Sequence, residues 1–173
     1  MNSIKTNGKR TPYALYLEDQ RERKRVFGIH GTGSANGKDI QTLAQNDKKR
    51  LDELRTYLLS HKLRTGRDFY AAAMLLQHGI TYAHYKKAHM CANISAKLGY
   101  KPAKWLSAAT LDRYLKSIGR KQKYGTQFYL DKKNNWKIWP YLKKTTDEER
   151  IKLDVEPLAK LFDFAKKLNS RSG

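Results

Sequence analysis

The sequence predicts a mainly α fold, an irregular bundle of five to six helices in antiparallel hairpins with one small β-hairpin. Three observations predict it. Apolar residues recur at helical spacing in segment after segment. The breaks between those segments are short and are marked by Gly, Thr or Asp. One stretch, 128–139, sets two short aromatic runs about a polar turn. With 173 residues and 39% hydrophobic content, the chain suits one compact domain with a modest core.

Residues 1–12 are basic, carry Gly8 and Pro12 and lack periodicity, which reads as a flexible arm and leaves 13–170 as the single helical domain. The first helix spans 13–27. Residues 28–37 hold four Gly in ten and form a connection inside the domain. Asp39 is the expected N-cap of a long helix to residue 62, with Leu43, Leu51, Leu54, Tyr57 and Leu58 as its apolar stripe. The third helix starts at Arg67 or Asp68, buries Tyr70, Ala71, Met74 and Leu75, and stops with Gly79 at the C′ position. Thr81 caps a fourth, whose small-residue stripe of Tyr85, Ala88, Ala92 and Ser95 permits close packing, and Gly99 ends it. A fifth, 102–118, carries Trp105, Leu106, Ala109, Tyr114 and Leu115. Short turns between these three consecutive helices make them antiparallel neighbours. Strands at 128–130 and 136–139 flank the turn Asp131-Lys132-Lys133-Asn134-Asn135, and a last amphipathic helix runs over 156–168.

Thirty-six Lys and Arg against 16 Asp and Glu give a net charge of +20 and a pI near 10.0. Such a field attracts nucleic acid, an anionic small molecule or any other polyanion. The single Cys91 excludes an internal disulfide, which fits a reducing cytoplasm. There is no secretory h-region and no run of apolar residues long enough for a membrane span. Oligomeric state is not encoded in any visible motif.

The segment from Gly119 to Phe128 concentrates polar side chains around Gly125, just after a helix carrying Asp112-Arg113. Uncommitted amides and hydroxyls are expensive to bury, so this cluster is expected to line a cleft. Around it run Asp19-Gln20-x-x-Arg23, Asp47-x-x-Arg50, Gln77-His78-Gly79, Leu111-Asp112-Arg113, Gln122-x-Tyr-Gly-Thr-Gln127 and Asp147-Glu148-Glu149-Arg150 before Pro157-Leu158. In order and spacing this pattern, over 13–160, resembles a bacterial family of uncharacterised domains marked by the Tyr-Gly-Thr-Gln signature. Lys121 stands where that family usually has Pro, and Asp154 where it has Gly. The resemblance implies an outline and candidate residues but no reaction.

On that footing His78 and Asp112 are candidate catalytic residues, His78 handling protons and Asp112 orienting it or a water. Gln20, Arg23, Gln77, Arg113, Gln122, Tyr124, Thr126 and Gln127 are candidate substrate-binding residues, with Arg113 neutralising anionic charge. The acid and Arg pairs equally fit a buried ion-pair network that holds helices together, and His78 equally fits a helix ending. The first functional reading is a small enzyme with a polar pocket acting on an anionic substrate, of hydrolase or transferase type. The alternative is a non-catalytic nucleic-acid-binding module in which Lys132, Lys133, Lys143 and Lys144 contact phosphate beside Tyr129, Trp136, Trp139 and Tyr141. No cofactor is implied. His84, His89 and Cys91 sit at offsets that place them on different helix faces, so no metal site is expected. The glycines at 31, 33 and 37 match no phosphate-loop pattern.

Overall fold

The computed structural model describes residues 10–28 and 35–170. The remaining arm residues and the centre of the glycine-rich connection, including positions 31 and 33, lie outside the described residues. Within them the chain forms α1 (Pro12–Phe27), α2 (Gly37–Leu59), α3 (Gly66–Leu76), α4 (Tyr82–Lys97), α5 (Ala103–Ser117), β1 (Phe128–Leu130), β2 (Trp136–Ile138), α6 (Asp147–Ile151) and α7 (Leu158–Asn169). This is a mainly α fold with one small antiparallel hairpin, in register Phe128 to Ile138 and Leu130 to Trp136.

Local chemistry explains the boundaries. Thr11 caps α1 through the amide of Ala14, and Pro12 is its first residue, where the missing N–H costs nothing. Residues 10–12 of the expected arm are instead held by the fold: Arg10 pairs with Glu18 and Glu53, and its carbonyl accepts from the Tyr57 hydroxyl at 3.0 Å. Helix α2 is capped by Asn36 and not by Asp39, whose amide donates to the Asn36 side chain at 2.9 Å. It ends at Leu59, three residues before the expected 62, because His61 turns to φ 50°. Thr65 and Asp68 close a reciprocal capping box on α3.

Gly79 is not a left-handed terminator. A Cβ built there would lie 2.4 Å from the His84 ring, so the glycine admits the start of α4 against the end of α3. Gly99, by contrast, does take φ +79° after α4.

Two apolar cores flank α5. In the first, Leu15, Leu54, Leu75, Leu76, Ala88, Ala92 and Leu106 bring α1 to α5 together. In the second, Ala108, Tyr124, Val155 and Leu161 join α5 to the signature loop and α7, with Phe128 and Ile138 of the hairpin packed against them. Trp105, expected in the stripe of α5, is 48% exposed; the side of that helix that is buried carries Leu106, Ala109 and Thr110 instead. The short α6 is an addition to the expected elements. Thr146 and Glu149 give it a capping box, and the backbone then turns through Asp154 at φ 55°.

Candidate functional site

Asp112 is fully buried on α5. Its carboxylate accepts from the amides of Lys123 (2.7 Å), Tyr124 (3.0 Å) and Thr126 (3.0 Å) and from the Thr126 hydroxyl (2.9 Å). Both oxygens are therefore spent on the signature loop, a nest of amides around one anion. Gln122, also fully buried, does the same from the other side: its Oε1 accepts from the Gln127 amide at 2.8 Å and its Nε2 donates to the carbonyls of Gln127 and Trp139. Arg150 donates through Nε to the Tyr124 carbonyl and through Nη1 to that of Thr145, at 2.9 Å each. Gly125, at φ +93°, passes so close to Leu161 that a Cβ would lie 3.0 Å from its methyl.

The expectation that this cluster lines a cleft is thus corrected for most of it. Asp112, Gln122 and Arg150 supply the partners that make burial of Gln122, Tyr124 and the Thr126 amide affordable.

Arg113, the next residue, emerges on another side of α5. It donates from Nη1 to the Gln77 carbonyl at 2.9 Å and from Nε to Oε1 of Gln127 at 3.3 Å. The Gln127 amide is itself held by the Ala109 carbonyl at 3.2 Å. Both acceptors of Arg113 are neutral. Three of its five N–H groups, including both on Nη2, have no partner among the described residues. Beside it, Lys116 lies over the Trp139 ring at 4.7 Å. Burial lowers the proton affinity of both side chains, with Arg23 as a smaller cause at Arg113 and Arg113 as a smaller cause at Lys116. Tyr85, Arg113, Lys116, Ser117, Gln127, Phe128 and Trp139 line a cleft of about 420 Å³.

A second network lies where α1, α2 and the end of α3 meet. Arg23 donates to Asp19 (2.9 Å) and Asp47 (2.7 Å), while Arg50 donates to Glu22 and Asp47 at 2.7 Å each. Gln20 donates to Asp19 at 2.7 Å. Burial pushes the Asp19 carboxyl upward, against the pull of Arg23. His78 places Nε2 3.6 Å from Asp19 Oδ2, too far for a hydrogen bond, and that nitrogen is buried without a partner. The carboxylate favours a proton on the ring; burial and the guanidiniums of Arg23, Arg113 and Arg50 oppose it. The opposition prevails, holding His78 down to about 2 and neutral.

The expected site residues therefore fall into three groups. Asp112, Gln122, Tyr124 and Thr126 form the loop anchor. Gln20, Arg23 and His78 belong to the ion-pair network, where the side chains of Gln20 and Arg23 are engaged with carboxylates. Arg113 and Gln127 face the cleft, and the Gln77 carbonyl ties Arg113 to the His78 end of α3. They do not share one open cavity; Arg113 is the link between the network and the cleft. Tyr85, Lys116, Ser117 and Phe128 were not among the expected site residues. The spacing of Lys116, three residues after Arg113 on one helix, is the signal that could have found it.

Lys132, Lys133, Lys143 and Lys144 are all exposed. His84 accepts or donates only at the Thr81 cap, at 3.1 Å, and His89 bonds the Ser107 carbonyl at 3.0 Å and Asn93. No group of three or more metal-ligating side chains converges among the described residues, and no helix there is long and apolar enough to cross a membrane. Comparison with protein-family models, curated proteins and solved structures gives no match to the chain.

Proposed function

We propose that the cleft between α5 and the hairpin is the substrate site of a small helical enzyme directed at an anionic small molecule, of hydrolase or transferase type. One observation carries the reading: two cations, Arg113 and Lys116, line a partly buried cleft with no carboxylate among the described residues paired to either. Buried cations are ordinarily compensated, and the uncommitted guanidinium donors match the fork geometry of a phosphate or carboxylate. Gln127 and the Gln77 carbonyl orient the guanidinium before any ligand arrives, which reduces the ordering cost of binding. In this reading Asp112 positions the loop and takes no part in the chemistry. His78 lines no part of this cleft, its Nε2 being buried in the ion-pair network, so it is given no contact with the substrate.

The test is a titration with orthophosphate, pyrophosphate and a mononucleotide, followed by calorimetry and by Trp139 fluorescence. Saturable binding is expected, and Arg113→Gln and Lys116→Gln should each weaken it by roughly 10- to 100-fold, the value of a charge-assisted contact. His78→Gln, outside the cleft, should keep binding unchanged. Absence of binding by all three anions at millimolar concentration overturns the site.

The second reading, nucleic-acid binding by the hairpin side, is favoured by a separate observation. Lys132, Lys133, Lys143 and Lys144 are exposed and carry no ion pair among the described residues, whereas Lys123 and Lys137 nearby pair with Glu149 and Asp131.

A further inference from the structure

Helix α4 buries a face of small residues, Ala88, Cys91, Ala92 and Ser95, against α3 and α5. Its opposite face is unusual. Tyr82 is 63% exposed, Met90 54%, Ile94 38% and Leu98, at the C-cap, 53%; with Lys86 they occupy one i,i+4 row along the helix, and Trp105, 48% exposed, lies in the first turn of α5. Soluble surfaces tolerate scattered apolar side chains, but an apolar ridge of this length, broken only by Lys86, marks a contact surface.

The charges around the ridge identify the partner. No Asp or Glu occurs in residues 69–111. Lys86, Lys87, Lys97, Lys101 and Lys104 are all exposed there, and none has an ion pair among the described residues. A second copy of this chain would bring an equally basic ridge against the first and be repelled. The exposed residues at the centre are aliphatic and offer no ring on which a base could stack. A convex ridge also lacks the pocket that a protein partner's anchor residue fills. A fluid surface conforms to such a ridge, takes aliphatic side chains below its headgroups, places Tyr and Trp at the boundary and meets lysine with anionic headgroups.

We propose that α4 and the α4–α5 corner form a docking surface for anionic phospholipid, with the helix lying in the plane of the membrane interface. The site is separate from the anion cleft, so either assignment survives failure of the other.

The experiment is co-sedimentation of the full chain with phosphatidylcholine vesicles, with and without phosphatidylserine, at about 150 mM salt, where the Debye length is near 8 Å and remote charges are screened. Binding is expected only with phosphatidylserine. Net charge alone attracts a basic protein to such vesicles, so the deciding variant is Met90→Ser/Ile94→Ser/Leu98→Ser, which keeps every lysine. These side chains are already exposed, so the fold should survive, as circular dichroism will show. The triple variant should bind roughly tenfold or more weakly, since the lost insertion of three apolar side chains is additive with the electrostatic part. Lys86→Glu/Lys87→Glu should weaken it further. Equal binding by the triple variant overturns the proposal, because bulk charge then suffices. So does binding to a single-stranded oligonucleotide without binding to vesicles, or no binding to either.

Discussion

At Asp112 one carboxylate, without solvent contact, meets four donors of a single loop. Removing it leaves those donors buried and unmatched, so Asp112→Ala should cost about 3 kcal/mol or more in urea unfolding. The loss should be seen in stability first, with cleft residues disturbed only through the loop. His78 gives the opposite kind of test. Its folded-state value of about 2 lies below the ordinary 6.5, so between those limits the unfolded chain binds a proton that the folded chain refuses. Stability from this residue is present above pH 6.5 and is lost as pH falls through that window, by at most about 1.4 kcal/mol per pH unit. Asp19, pushed upward by burial, acts in the other sense at lower pH. The His78 contribution is therefore read from pH 7 toward 5.5, as the difference in melting temperature between the wild type and His78→Gln. The variant should show the shallower decline; parallel curves would mean that the imidazole takes up its proton as readily in the native state as in the unfolded chain. None of this was legible in the residues themselves. Gln-His-Gly reads equally as a helix ending or a catalytic motif, and only burial, together with the convergence of Arg23, Arg113 and Arg50, decides the charge state.

Among the elements, α4 and the hairpin were legible because their signals are local: the Thr81 cap at the helix start and aromatic pairs about the Asp131 turn. The Asp131 carboxylate accepts from the amides of Lys133 and Asn135 at 2.9 Å each, which is turn chemistry that the sequence spells out. Features set by tertiary contact were misread. Gly79 looks like a helix stop, but what it provides is room for His84. Gly79→Ala should force α3 and α4 apart and cost about 1–3 kcal/mol, the usual penalty of overpacking; an unchanged melting temperature would show that the turn can yield. Polar clusters were misread for the same reason. The loop around Gly125 resembles a cleft lining in sequence, yet its partners are Asp112 and Arg150, which lie 13 residues before and 25 residues after that glycine. The α6 helix was missed because five residues show no period.

For the whole molecule, the charge of +20 is not spread evenly in its pairing. The acids concentrate on α1, α2 and α6, where they are tied to Arg10, Arg23, Arg50, Lys123 and Arg150. Lys132, Lys133, Lys143 and Lys144 have no such partners among the described residues, and an unpaired cation releases condensed counterions when it meets a phosphate chain. If the nucleic-acid reading holds, binding to arbitrary DNA or RNA should therefore fall linearly with salt on a log-log plot, with a slope that counts the phosphates neutralised. Charge reversal at Lys132, Lys133, Lys143 and Lys144 should flatten that slope by several units, since each contact contributes about 0.7 to 0.9. Met90→Ser/Ile94→Ser/Leu98→Ser should leave it unchanged, which separates this surface from the lipid ridge. His78→Gln should leave it unchanged as well, because the imidazole carries no charge to release. Failure to bind at about 50 mM salt, where several phosphate contacts are strong, removes the nucleic-acid module. The uncompensated Arg113 and Lys116 then stand as the feature of this fold that still requires an anion.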